Sequence, residues 1–122
     1  MPVRGIRGAT TVRQNDADEI LQATTTMLQH IIAQNNVQPE DIASVWITMT
    51  EDLNATFPAR AIRAMPGWEL VPLMCAIEIP VQGSLPLCIR LMVTVNTDKA
   101  QWDIRHVYLN EAISLRPDLA SS

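Results

Sequence analysis

The sequence predicts an α+β domain: a mixed β-sheet with its helices on one face. Three observations carry that reading. Several runs of strand length are rich in Val, Ile and Thr; one long stretch repeats apolar residues at helical spacing; and Pro, Gly, Asn and Asp punctuate the intervals. At 122 residues the chain suits one sizeable core rather than two. It is expected to be a single domain over 1–122, with 119–122 a loose tail.

Val3 to Val12 (VRGIRGATTV) is the first strand. Gly5 and Gly8 bracket Ile6-Arg7, and glycine inside a strand marks a bulge or a close backbone approach. Arg4 and Ile6 share one face and Arg7 points to the other, where it reads equally as an exposed edge residue. Asn15 or Asp16 caps a helix running to about Asn36, with Asp16, Asp18 and Glu19 at its positive end. Ile20, Leu21, Thr24, Met27, Leu28, Ile31 and Ile32 form its apolar stripe, with His30 beside it as a partly buried structural residue. Gln38-Pro39-Glu40-Asp41 starts a turn of helix, and Ala43 to Thr50 is the second strand. Thr56-Phe57-Pro58 opens a shorter helix through Met65, stopped by Pro66-Gly67.

Trp68 to Ile79 and Leu85 to Asn96 then read as two central strands joined through Gln82-Gly83-Ser84. Each carries one charge among apolar residues, Glu78 in the first and Arg90 in the second. Burying a lone charge costs several kcal/mol unless it is paired. Two readings are therefore open: a structural Glu78–Arg90 ion pair or residues that happen to face water, against a polar pocket completed by a ligand. Thr97 to Trp102 is a polar loop, Asp103 to Leu109 is strand or short helix, and Ala112 to Leu115 is a last short strand. Large apolar residues remain for the uncovered sheet face, which predicts self-association.

Composition narrows the function. No apolar run approaches the roughly 18 residues of a membrane span, and MPVRGIRG lacks a signal-peptide core, so a cytoplasmic protein is expected. Cys75 and Cys88 lie within apolar runs and read as buried free thiols. His30 and His106 show no metal-ligand spacing, and no nucleotide-binding glycine motif is present, so neither a metal site nor a nucleotide loop is expected. A net charge of −4 argues against a nucleic-acid partner. Yet eight of the nine cations are Arg and only Lys99 is Lys, a bias that suits recognition of a small anion. Arg60 and Arg63 share a helix face, which by spacing alone is a solvated one.

RGIRGATT, FPARAIR, VPLMCAIEIPVQGSLPLCIR and RHVYLNEA-SLRPDL, in this order and spacing, resemble the monofunctional AroH class of chorismate mutases from Val3 to Leu119. The resemblance implies a homotrimer of α+β subunits whose sheets form a barrel-like core, with active sites at the subunit interfaces. It implies an isomerase of phenylalanine and tyrosine biosynthesis that rearranges chorismate to prephenate without a cofactor. On this resemblance Arg90 meets the ether oxygen of the breaking bond, Arg7 and Tyr108 hold a substrate carboxylate, and Glu78 takes the ring hydroxyl, with Cys75, Ala76 and Ile77 alongside. Phe57, Ala59, Leu73 and Leu115 line the ring, and Arg63 and Arg116 sit near its carboxylate. Arg60 stands where the family has a lysine, and Met74 where it has a small hydroxyl residue. The rival reading is a trimeric protein that binds a small anionic metabolite without transforming it.

Overall fold

The computed structural model describes residues 2–118. Its strands are β1 (Val3–Thr11), β2 (Ile42–Met49), β3 (Leu73–Ile77), β4 (Cys88–Asn96) and β5 (Val107–Tyr108), and its helices are α1 (Ala17–Asn35) and α2 (Ala59–Arg63). Single 3-10 turns cover Pro39–Asp41, Gln101–Asp103 and Asn110–Leu115. The sheet order is β3-β2-β4-β1-β5. β4 runs antiparallel to both β1 and β2, while β2–β3 and β1–β5 are parallel, so the sheet is mixed as expected.

Period-two alternation sends Ile6, Val45, Ile47, Leu91 and Val93 to one face, where they pack with Ile20, Met27, Leu28 and Ile31 of α1 and Ile62 of α2. α1 starts where its caps dictate. The Asp16 carboxylate accepts the Glu19 N–H at 3.0 Å, and Asn36 ends the helix in the left-handed region at φ 54°. Lys99 Nζ donates to the Asn35 carbonyl at 2.7 Å, a cation at the negative helix end. Gly8 explains how α1 lies so close on β1: a Cβ there would stand 2.8 Å from Ile31 Cδ1 and 3.1 Å from Met27.

Five expectations are corrected. The first central run is strand only over Leu73–Ile77. Trp68 to Val71 turns, with the Val71 N–H on the Trp68 carbonyl at 3.2 Å, and Pro72 and Pro80 flank the strand on either side. Nor is β3 central. It pairs only with β2, which separates it from β4, so the two runs are not neighbours. Ala112 to Leu115 belongs to a 3-10 turn, because Asn110 at φ 55° diverts the chain and fastens its amide to Thr10 Oγ1 and the Thr11 carbonyl, each at 3.2 Å. Cys75 is exposed on the edge strand and His30 is exposed on α1, whereas Cys88 is buried. Of Asp103 to Leu109, only Val107–Tyr108 is strand. The expected loose tail, 119–122, lies outside the described residues.

Candidate active site

Among the described residues no helix lies over the second face of the sheet, and register decides what gathers there. Thr48 stands opposite Arg90, and Arg90 opposite Ala9; one step along, Trp46 stands opposite Met92 and Met92 opposite Arg7. These two rows floor a recess of about 190 Å³, walled by Glu78 on one side and Tyr108 on the other. Glu78 comes directly after β3 and is held there by its N–H, which donates to the Met49 carbonyl at 2.9 Å. Tyr108 is buried against Ala9 and Ala112, so the 3-10 turn at Asn110–Leu115 braces that wall.

The two charges meet. Arg90 donates from Nε to Glu78 Oε2 at 2.6 Å and from Nη2 to Oε1 at 2.7 Å, a bidentate fork. Thr48 Oγ1 donates to the same carboxylate. The Arg90 hydrogen bonds hold the Glu78 carboxyl below its ordinary pKa against the opposing effect of burial, with Thr48 assisting. The same fork raises the Arg90 pKa. The ion-pair reading of the sequence thus holds, and the pair lines a recess. In Cys88, under Arg90's strand end, burial pushes the thiol up to about 11, which keeps it protonated and inert at neutral pH.

Arg7, Glu78, Arg90 and Tyr108 converge on this recess; the remaining expected site residues do not. Phe57 is 69% exposed, Ala59 is buried in the core, and Arg60 donates to Thr56 Oγ1 at 2.7 Å. Arg63 is exposed on α2. Leu73, Met74, Cys75, Ala76 and Ile77 form the edge strand β3, and all but Leu73 are exposed. Leu115 is exposed, and Arg116 pairs with Asp118 at 3.1 Å. Sequence reading missed Thr48, Trp46 and Met92. The signal was present, since alternation through ASVWITMT puts Trp46 and Thr48 on one face, but nothing in the sequence says which face is the open one.

A family model described as chorismate mutase type I matches residues 3–119. The chain belongs to this family. It is 50% identical over 120 residues to the chorismate mutase AroH of Bacillus subtilis, covering 98% of this chain and 94% of that one. It is 50% identical over 121 residues to the chorismate mutase AroH of Thermus thermophilus, covering 98% of each. The structure of a chorismate mutase from Clostridium thermocellum superposes with a TM-score of 0.88 at 52% identity, over 90% of this chain and 97% of that one. The α+β fold with its mixed sheet is therefore the family's fold.

Proposed function

We infer that this protein is a chorismate mutase and that chorismate rearranges to prephenate in the recess bounded by Arg7, Thr48, Glu78, Arg90 and Tyr108. One observation carries the reading: two arginines and a carboxylate meet on the open sheet face of an acidic chain of this family. Chorismate is a dianion, which suits guanidinium forks. The rearrangement is intramolecular and redox-neutral, so its chemistry asks for no nucleophile, metal or cofactor. What remains for the protein is to hold the enolpyruvyl arm over the ring and to stabilise charge as the C–O bond breaks. Negative charge grows on the ether oxygen. Glu78 fixes Arg90 through two hydrogen bonds before substrate arrives, so the cation need not reorient as that charge develops. Arg7 and Tyr108 take a carboxylate, and Glu78 also orients the ring hydroxyl.

The site is completed by a second copy of the chain. Exposed Phe57, Arg60 and Arg63, in and just before α2, which packs against β3, lie with residues 73–77 toward the β3 end of the sheet, whereas Arg7 and Tyr108 lie on its β1–β5 side. A cyclic trimer that sets the β3 end of one subunit against the recess of the next joins the two sets. The exposed Trp46, Met74 and Met92 on adjacent strands support such burial. Two free thiols support a cytoplasmic address.

The test is the decay of chorismate absorbance with and without purified protein, beside sedimentation equilibrium. Accelerated decay by a trimer is expected. Binding without acceleration would leave an anion-binding protein, and a fully active monomer would end the shared-site reading.

A further inference from the structure

His106 does not line the recess, yet it is tied to the strand that carries Arg7. In the parallel β1–β5 pair, Gly8 stands opposite Val107 and Ala9 opposite Tyr108. The Leu109 N–H donates to the Ala9 carbonyl at 2.9 Å. Continued by one residue, this register sets Arg7 opposite His106, and a regular parallel ladder would offer the Arg7 N–H the carbonyl of Arg105. That carbonyl is engaged elsewhere. Asn35, in the last turn of α1, donates its amide to it at 2.8 Å and accepts the Arg105 N–H at 2.8 Å. The Arg7 N–H donates instead to His106 Nδ1 at 2.9 Å.

An imidazole that accepts at Nδ1 is neutral and carries its proton on Nε2; an imidazolium has no acceptor to offer. We propose that His106 is the positioning residue for Arg7: its neutral ring replaces the diverted strand carbonyl and fixes the backbone from which Arg7 reaches the substrate carboxylate. This deepens the chorismate mutase reading and rests on it for the identity of the anion. Burial first, then Arg7 from β1 and Arg116 from beyond the last 3-10 turn, lower the ring's pKa and favour the accepting form. Acid that protonates the ring removes the acceptor and adds a cation beside Arg7 and Arg116, the latter paired with Asp118. The strand end carrying Arg7 then loosens as pH falls below the neutral range.

Two variants test the idea. His106→Leu removes the acceptor, while His106→Asn puts a non-titrating carbonyl oxygen where Nδ1 was. In steady-state kinetics on chorismate, H106L raises KM about tenfold or more while kcat stays within about threefold. H106N returns KM to within about threefold of wild type and flattens the acid rise of KM that wild type shows. A wild-type KM in H106L, or an H106N enzyme that behaves like H106L, overturns the assignment. If wild type fails to turn over chorismate, the functional reading falls, but the positioning role is still judged by nitrogen-15 NMR. Expected at neutral pH are an unprotonated Nδ1, a protonated Nε2 and an Arg7 amide that exchanges about tenfold faster in H106L. A protonated Nδ1, or an Arg7 amide whose exchange is unchanged, overturns it. Should H106L not fold, the wild-type ring tautomer and H106N decide.

Discussion

The two faces of the sheet are built from the same strands by the same alternation, yet they do different work. On the helix-covered face, Ile6, Ile47 and Val93 are wholly buried within the apolar core. On the open face, the residues one step along, Arg7, Trp46 and Met92, keep contact with solvent, and Glu78–Arg90 sits among them. A dry, close-packed face tolerates no charge; a face left open by its own chain can hold several. The difference teaches where function can reside in a small domain: on the surface that one copy cannot cover by itself.

Breaking the open face chemically should have the largest effect. Arg90→Ala is expected to lose roughly 10²–10³-fold in kcat, about 2.7–4 kcal/mol, while circular dichroism and a sizing column show an unchanged fold and assembly. A folded variant with kcat within about threefold of wild type would remove Arg90 from the mechanism. Next comes a matched pair of glycines. Gly8→Ala drives a methyl into Ile31 and Met27 on the covered face and should cost about 1–3 kcal/mol in urea unfolding. Gly5→Ala meets only the flexible Met92 sulfur, at 3.1 Å on the open face, and should stay within about 0.5 kcal/mol. Equal costs would mean that the two faces do not differ in packing as described.

Thr48→Val keeps the shape of β2 and deletes one hydrogen bond to Glu78. The expected loss is about 1 kcal/mol, roughly fivefold in kcat/KM, with Thr48→Ser recovering most of it. The smallest effect is on stability against pH. Glu78 has a lowered pKa in the folded state, so its pairing stabilises the protein above the ordinary value of 4.5 and is lost as pH falls through the lowered one. Thermal melts of wild type should therefore fall more steeply below about pH 4.5 than those of Glu78→Gln. Arg90 is 52% exposed, so water screens the pair and the difference is modest.

Local signals in the sequence marked β1 and α1 to within a residue or two, because the Asp16 cap, the apolar stripe and Asn36 act over one turn. They also flagged the Glu78–Arg90 pair, since charge inside apolar runs is conspicuous at any distance. Three errors shared another cause. The 68–79 run looked central because apolar content cannot distinguish a buried strand from an exposed edge; β3 is an edge strand whose Met74 and Ile77 are exposed. Cys75 looked buried for the same reason. Residues 112–115 looked like a strand because the positive φ of Asn110, which diverts them, is stabilised by contacts to Thr10 and Thr11 about 100 residues earlier.

By itself, then, the sequence determined the period of each element, the residues that alternate along each strand, and an arginine-rich chemistry aimed at an anion; all of these depend on spacing or composition. Only the tertiary structure decided that β2 lies between β3 and β4, that Thr48 joins Glu78 and Arg90, and that His106 replaces a strand carbonyl for Arg7. Strand order and register are chosen by the burial of whole faces. A side chain from a distant part of the chain becomes a neighbour only after that choice is made.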